Sequence, residues 1–149
     1  MILRCSISNL TLDCPAAWIA EPDLAKSRVG LYAFNDIVAD IELWLDNKRL
    51  LRDEGIFNVG ELALQLHNWA ATGAATDFRY NCADTDEQDW FTLRRSGTGF
   101  HFLSTSEYVA THVTAFVERE AVLEFISRFC VEVKEKIKQE LGLDAAGFI

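Results

Sequence analysis

Apolar residues recur along this chain with two periods, and the change from one to the other marks its elements. Leu62, Leu66, Trp69 and Ala70 stand three or four residues apart, which predicts an amphipathic helix with one apolar stripe. Glu61, Gln65, Asn68 and Thr72 fall on the opposite, polar side. Asn58 and Glu61 have the spacing of a capping box, and Phe57 and Leu62 occupy the positions of a hydrophobic staple. Gly73 is expected to end the helix by taking a left-handed conformation. A second helix is predicted over about residues 118–141, with Val122, Ile126, Phe129, Val133, Ile137 and Leu141 as its stripe. Glu124 with Arg128, and Glu132 with Lys136, are expected to pair on its wet side, and Gly142 to end it.

Elsewhere the period is two. Residues 2–12 read as a first strand with imperfect alternation: Leu3, Cys5 and Ile7 share one parity, Ile2, Leu10 and Leu12 the other. Residues 13–27 form a connection holding both prolines, Pro15 and Pro22. A short helical turn is expected there at Leu24, Ala25 and Lys26, with Trp18 and Ile19 folding back onto the core. Residues 29–45 are strand-rich, with a break at Asn35-Asp36. Within them Ile41, Leu43 and Leu45 alternate with Glu42, Trp44 and Asp46. A tight turn at Asn47-Lys48 is expected to set Leu50 against Leu45 and Leu51 against Trp44. Residues 53–55 then lead into the capped helix.

Beyond Gly73, strands are predicted at 76–82, 90–95, 100–104 and 109–117. Gly97-Thr98 makes a hairpin that sets Arg94 opposite His101. Residues 143–149 are expected to be frayed or loosely docked. Strands, helix, strands, helix, with tight turns between neighbouring strands, predict a single α+β domain over residues 1–149. It would be an antiparallel meandering sheet with two main helices packed on one face.

The chain has 149 residues, half of them hydrophobic, with 14 basic and 23 acidic side chains and a net charge of −9. That balance opposes nucleic-acid binding and docking on anionic lipid, both of which need a basic face. It suits a basic protein partner. No run approaches the roughly 20 apolar residues of a membrane helix, and Met1-Ile2-Leu3-Arg4-Cys5 does not begin a signal peptide, so a cytoplasmic location is expected. Cys5, Cys14, Cys82 and Cys130 lie far apart and read as reduced thiols. With no paired ligand spacing among them or the three histidines, neither a metal nor a cofactor is expected.

Two places invite a functional reading. Asp84, Asp86, Glu87 and Asp89 make an acidic turn, which lacks the glycine and the bidentate glutamate of a calcium loop. Beside Trp90 it is a candidate contact for a basic partner. The second place is a sheet face. A turn near Ser106-Glu107 would set His101 opposite His112, so Arg94, His101 and His112 would form a row with Trp90 on the same outer face. Phe91, Leu93, Phe100, Phe102, Val113 and Val117 would face the core. Such a row excludes no water and suits contact better than catalysis. His67 is expected at the border of the first helix, half-buried. No nucleophile elbow, zinc-protease helix or phosphate loop is present, so no catalytic residue is assigned.

The stretch Asp40-Ile41-Glu42-Leu43-Trp44-Leu45-Asp46, Leu50-Leu51-Arg52-Asp53, Glu61 to Trp69 and Asp77-Phe78-Arg79-Tyr80 resembles a family of small uncharacterised bacterial α+β proteins. More loosely, the whole chain looks like the immunity proteins of polymorphic and contact-dependent toxin systems, in a pattern that covers about two thirds of it. That resemblance implies a small, acidic, cytoplasmic protein that binds and blocks one toxin domain. It carries no site residues with it. The reading is therefore a non-enzymatic immunity protein for a basic, nuclease-type toxin, with Asp84, Asp86, Glu87, Asp89 and Trp90 as the partner contact. The alternatives are a small enzyme or ligand carrier with a pocket between sheet and helices, and a self-associating structural or regulatory module.

Overall fold

The computed structural model describes residues 1–12, 36–82, 88–104, 114–145 and 149; the side chains of Ile56, Gln88 and Asp89 also lie outside the description. The fold is α+β, and every strand pairing is antiparallel. The described strands form two hydrogen-bonded sheets where one was expected. The first holds β1 (Leu3–Leu12), β2 (Ile37–Leu45) and β3 (Lys48–Asn58) in that order. The second holds β4 (Phe78–Asn81), β5 (Gln88–Ser96), β6 (Gly99–Leu103) and β7 (Ala115–Glu118). Between them runs α1 (Val59–Ala71), and the chain finishes with α2 (Arg119–Lys136) and a wide helical turn, Ile137–Leu141. The helix after β3 carries the chain away from that strand, so the second ladder starts afresh. The helices pack on each other and on strands of both sheets. The buried apolar side chains form one cluster. No helix among the described residues is long and apolar enough to cross a membrane.

Irregular alternation in the sequence corresponds to bulges. β1 pairs in register from Leu3–Leu45 to Ser8–Asp40, then slips by one residue before Thr11–Val38. Asn9 absorbs the extra residue at φ 54°, and its amide donates to Asp40 at 2.6 Å. The slip changes parity, so Leu3 and Ile7 point inward before it and Leu10 after it.

The β2–β3 turn is centred on Asp46-Asn47 instead of Asn47-Lys48, with Leu45 opposite Lys48 and Trp44 opposite Arg49. Asp46 takes φ 51° because it is tied to β1 at both ends: its amide donates to the Ile2 carbonyl and its carboxylate accepts from the Ile2 amide, each at 2.8 Å. A further bulge buries both Leu50 and Leu51, with Leu51 facing Leu43. Residues 53–55 belong to β3 itself. There Gly55 turns at φ 71°, and the buried Asp53 carboxylate accepts from the Phe57 amide at 3.0 Å.

α1 begins and ends as its local signals require. The Asn58 side chain accepts from the Glu61 amide at 3.3 Å, and Gly73 takes φ 85° after the last turn. Glu61 departs from expectation. It is buried, and its carboxylate accepts from the Tyr80 hydroxyl at 3.1 Å. Tyr80 sits across α1 on β4 and captures that side chain. Gln65 is likewise not a wet-face residue: it exchanges two hydrogen bonds with the Asn81 backbone, at 2.7 and 3.1 Å.

α2 performs the same service for β1. The Glu124–Arg128 pair forms at 3.8 Å, while Glu132 and Lys136 do not pair; Lys136 meets Glu140 at 3.4 Å instead. Arg128 donates to the Leu3 carbonyl at 2.8 Å and Glu140 accepts from the Leu10 amide at 3.3 Å, with Glu132 facing the Ile7 amide between them. Two side chains of the last helical stretch thus occupy backbone groups along an edge strand, which would otherwise offer itself to another chain. In the described part of the tail Leu143 and Ala145 are buried, where fraying or loose docking was expected.

Two predictions follow from this packing. A methyl at Gly99 would collide with the Val117 carbonyl and lie 2.8 Å from the Phe116 ring. Gly99→Ala is expected to cost about 1–3 kcal/mol in a urea melt, as an overpacked site does. Glu132 has its pKa raised above 4.5, chiefly by burial, with Lys136 and the Ile7 amide opposing. A raised acid contributes stability below its unfolded value and loses it as pH rises through the folded one. Glu132→Gln removes the charge that burial penalises, so stability at pH 7 should be equal or higher. Melts from pH 4 to 8 should then show a shallower decline than in the parent chain.

Candidate functional site

Of the residues singled out for partner contact, Trp90 alone has a described side chain. Asp84, Asp86 and Glu87 lie outside the described residues, as does the Asp89 side chain. Trp90 is not on an outer face. It is 4 % exposed, and its ring packs 5.3 Å from Phe57 and 6.4 Å from Tyr80. Residues 90–93 are all buried, because this part of β5 is covered on both sides. Period-two reasoning fails there for that reason: it assumes one wet face. The contact role drawn for Trp90 therefore loses its surface aromatic.

The second candidate survives in part. Arg94 stands opposite His101 as expected, and both are exposed. His101 faces Phe116 across β7, with the rings edge-on at 5.5 Å, and His112 lies outside the described residues. The described row is thus Arg94, His101 and Phe116. His67 is exposed, not half-buried.

The arrangement best suited to contact is one the sequence reading passed over. On the outward parity of β2, Trp44 is half-buried with a guanidinium on either side: Arg4 from β1 at 5.7 Å and Arg49 from β3 at 5.8 Å from the ring centroid. The Trp44 indole N–H donates to Glu42 at 3.3 Å, which fixes the ring. Glu42 also meets Arg49 at 3.5 Å and Arg52 at 3.7 Å, and Arg52 meets Glu54 at 2.6 Å. A polar hollow of ≈ 180 Å³ adjoins this network, lined in part by Ser6, Ser8, Asp40 and Glu54. The available signal was a tryptophan alternating with inward apolar residues, at a position that a polar residue would fill equally well.

Chemically, this face can grip but offers little for covalent chemistry. Its charged groups neutralise one another on an open sheet. Among the described residues, no group of three or more His, Cys, Asp or Glu side chains is placed to hold a metal. Two of the described thiols, Cys5 and Cys130, are poor nucleophiles. Burial pushes the Cys5 thiol well up, helped by Glu132 and Glu42, and pushes Cys130 up to about 11 against the pull of Lys134. Burial, with Cys82 and Glu61 as neighbours, likewise keeps the Tyr80 hydroxyl protonated.

No curated protein and no solved structure matches the chain. The family described as Domain of unknown function (DUF7878) matches residues 9–139, most of the length, and the chain belongs to that family.

Proposed function

We propose that this protein works by binding another protein, as an immunity protein that occupies and neutralises a cognate toxin domain in the cytoplasm. The observation that carries the reading is Trp44 held between Arg4 and Arg49 on an open sheet face. Tryptophan and arginine dominate the energetics of protein interfaces, and a ring already fixed by neighbours loses little freedom on docking. The net charge of −9 supplies the complementary long-range term, since a basic partner is drawn in faster than a neutral one. Steering comes from the whole molecule; anchoring comes from the planar groups at the face. The acidic residues Asp84, Asp86, Glu87 and Asp89 add to the steering.

The test is co-expression with the protein encoded next to this one, followed by pull-down and a growth assay. A neighbour that is toxic alone and harmless in complex supports the reading; no toxicity and no complex overturns it. Within such a complex, Trp44→Ala is expected to weaken binding by about 2 kcal/mol or more, roughly thirtyfold, with the melting temperature little changed. Binding unaffected by that substitution removes this face from the interface. Asp86→Lys with Glu87→Lys should slow association, and the slowing should fade as salt is added.

A further inference from the structure

One hollow in this acidic protein is lined by two arginines and no carboxylate. It lies where the end of α1, the β5–β6 hairpin and the start of α2 meet. Its volume is ≈ 220 Å³, and Gly73, Ala75, Gly97, Gly99 and Phe100 form much of its wall. Arg95, near the end of β5, donates to the Ala75 carbonyl at 2.8 Å. Arg119, the first residue of α2, donates to the Gly73 carbonyl, also at 2.8 Å. Both guanidiniums are thus held against the same short turn.

Neither arginine is ion-paired among the described residues, whereas Arg49, Arg52 and Arg128 all are. Neutral carbonyls set the orientation of the two guanidiniums without cancelling their charge. Each guanidinium has five N–H donors, so most remain available. The nearest acid in the turn, Asp77, is engaged by the Arg95 backbone amide at 2.7 Å. Glu118 and Glu120 flank Arg119 along the chain, yet neither pairs with it. Glu118 makes no side-chain cap on α2, an 18-residue helix, and the one acid in its first turn is Glu120. The small walls keep the space open. Gly73 and Gly97 hold positive φ, and nothing lies within 4 Å of where a Cβ would be.

We propose that this hollow binds the phosphate group of a small phosphate monoester. Two guanidiniums match the forked geometry of phosphate oxygens. The volume falls below that of pockets for drug-sized ligands, about 300 Å³ and upward, so the ester group is small. This assignment is independent of the partner-binding face, which lies on the other sheet.

The experiment is a ¹⁵N–¹H correlation titration of the whole chain with glycerol 3-phosphate, with inorganic phosphate, and with sodium chloride at matched ionic strength. Saturable shifts confined to amides near 73–75, 97–99 and 119–121 are expected, with the monoester binding at least about tenfold more tightly than chloride. Arg95→Met and Arg119→Met should each weaken binding about tenfold while the rest of the spectrum is unchanged, and Arg119→Lys should retain part of it. Shifts equal to those in chloride, or unaltered binding in both methionine variants, would overturn the site. Equal affinity for inorganic phosphate would overturn the monoester assignment.

Discussion

The structure turns on the junction where β3 becomes α1. Asn58 ends the strand and caps the helix, Glu61 opens the first turn, and the Tyr80 hydroxyl, 3.3 Å from the Asn58 carbonyl and 3.1 Å from the Glu61 carboxylate, closes the arrangement from β4. One strand, one helix and a strand of the second sheet therefore meet at three polar groups that water does not reach. Around them Phe57, Tyr80 and Trp90 stack at 5.3–6.4 Å. A buried carboxylate is tolerated only when it is hydrogen-bonded, and that requirement fixes where β4 lies relative to α1. The two sheets are joined here by side chains, not by a shared ladder.

The same device recurs at larger scale. Helix side chains that would ordinarily face water are spent on strand backbone: Gln65 on Asn81, Arg128 on Leu3, Glu140 on Leu10. An edge strand with open amides and carbonyls invites further strands, and here α2 answers it along the length of β1. The consequence for function is a division of surfaces. The edge of β1 is committed to the fold, while the outer face of its sheet remains open, and that face carries Trp44 and its arginines.

Charge and aromatic placement are arranged on the same plan. The acidic excess is a property of the whole chain, but the arginines are not spread evenly through it. Arg4 and Arg49 bracket Trp44, Arg52 bridges two glutamates, and Arg95 and Arg119 are set in a hollow without carboxylates. Cation over ring, cation in a network and cation at a neutral carbonyl are three electrostatic environments for one residue type. Of the three, the network cancels most charge, whereas a neutral carbonyl orients the guanidinium and leaves its charge in place.

Much of the local structure was legible in the residues themselves. The cap at Asn58, the stop at Gly73, the stripes of both helices and the Arg94–His101 pairing depend on neighbours a few residues away, and the chain states them directly. The interrupted alternation of residues 3–12 was legible too, though its cause, a bulge at Asn9, needed the partner strand to be seen. What only the tertiary structure decided were contacts between residues far apart. Glu61 and Gln65 looked solvated until β4 was placed beside them, and Arg128 and Glu132 looked like surface ion-pair partners until β1 was placed beside α2. Trp90 looked exposed because parity assigns a face but cannot say whether that face is covered. Trp44 reads the same way in sequence and is the one left accessible. Local periodicity determines which side a residue takes; packing between distant segments determines what, if anything, lies on that side.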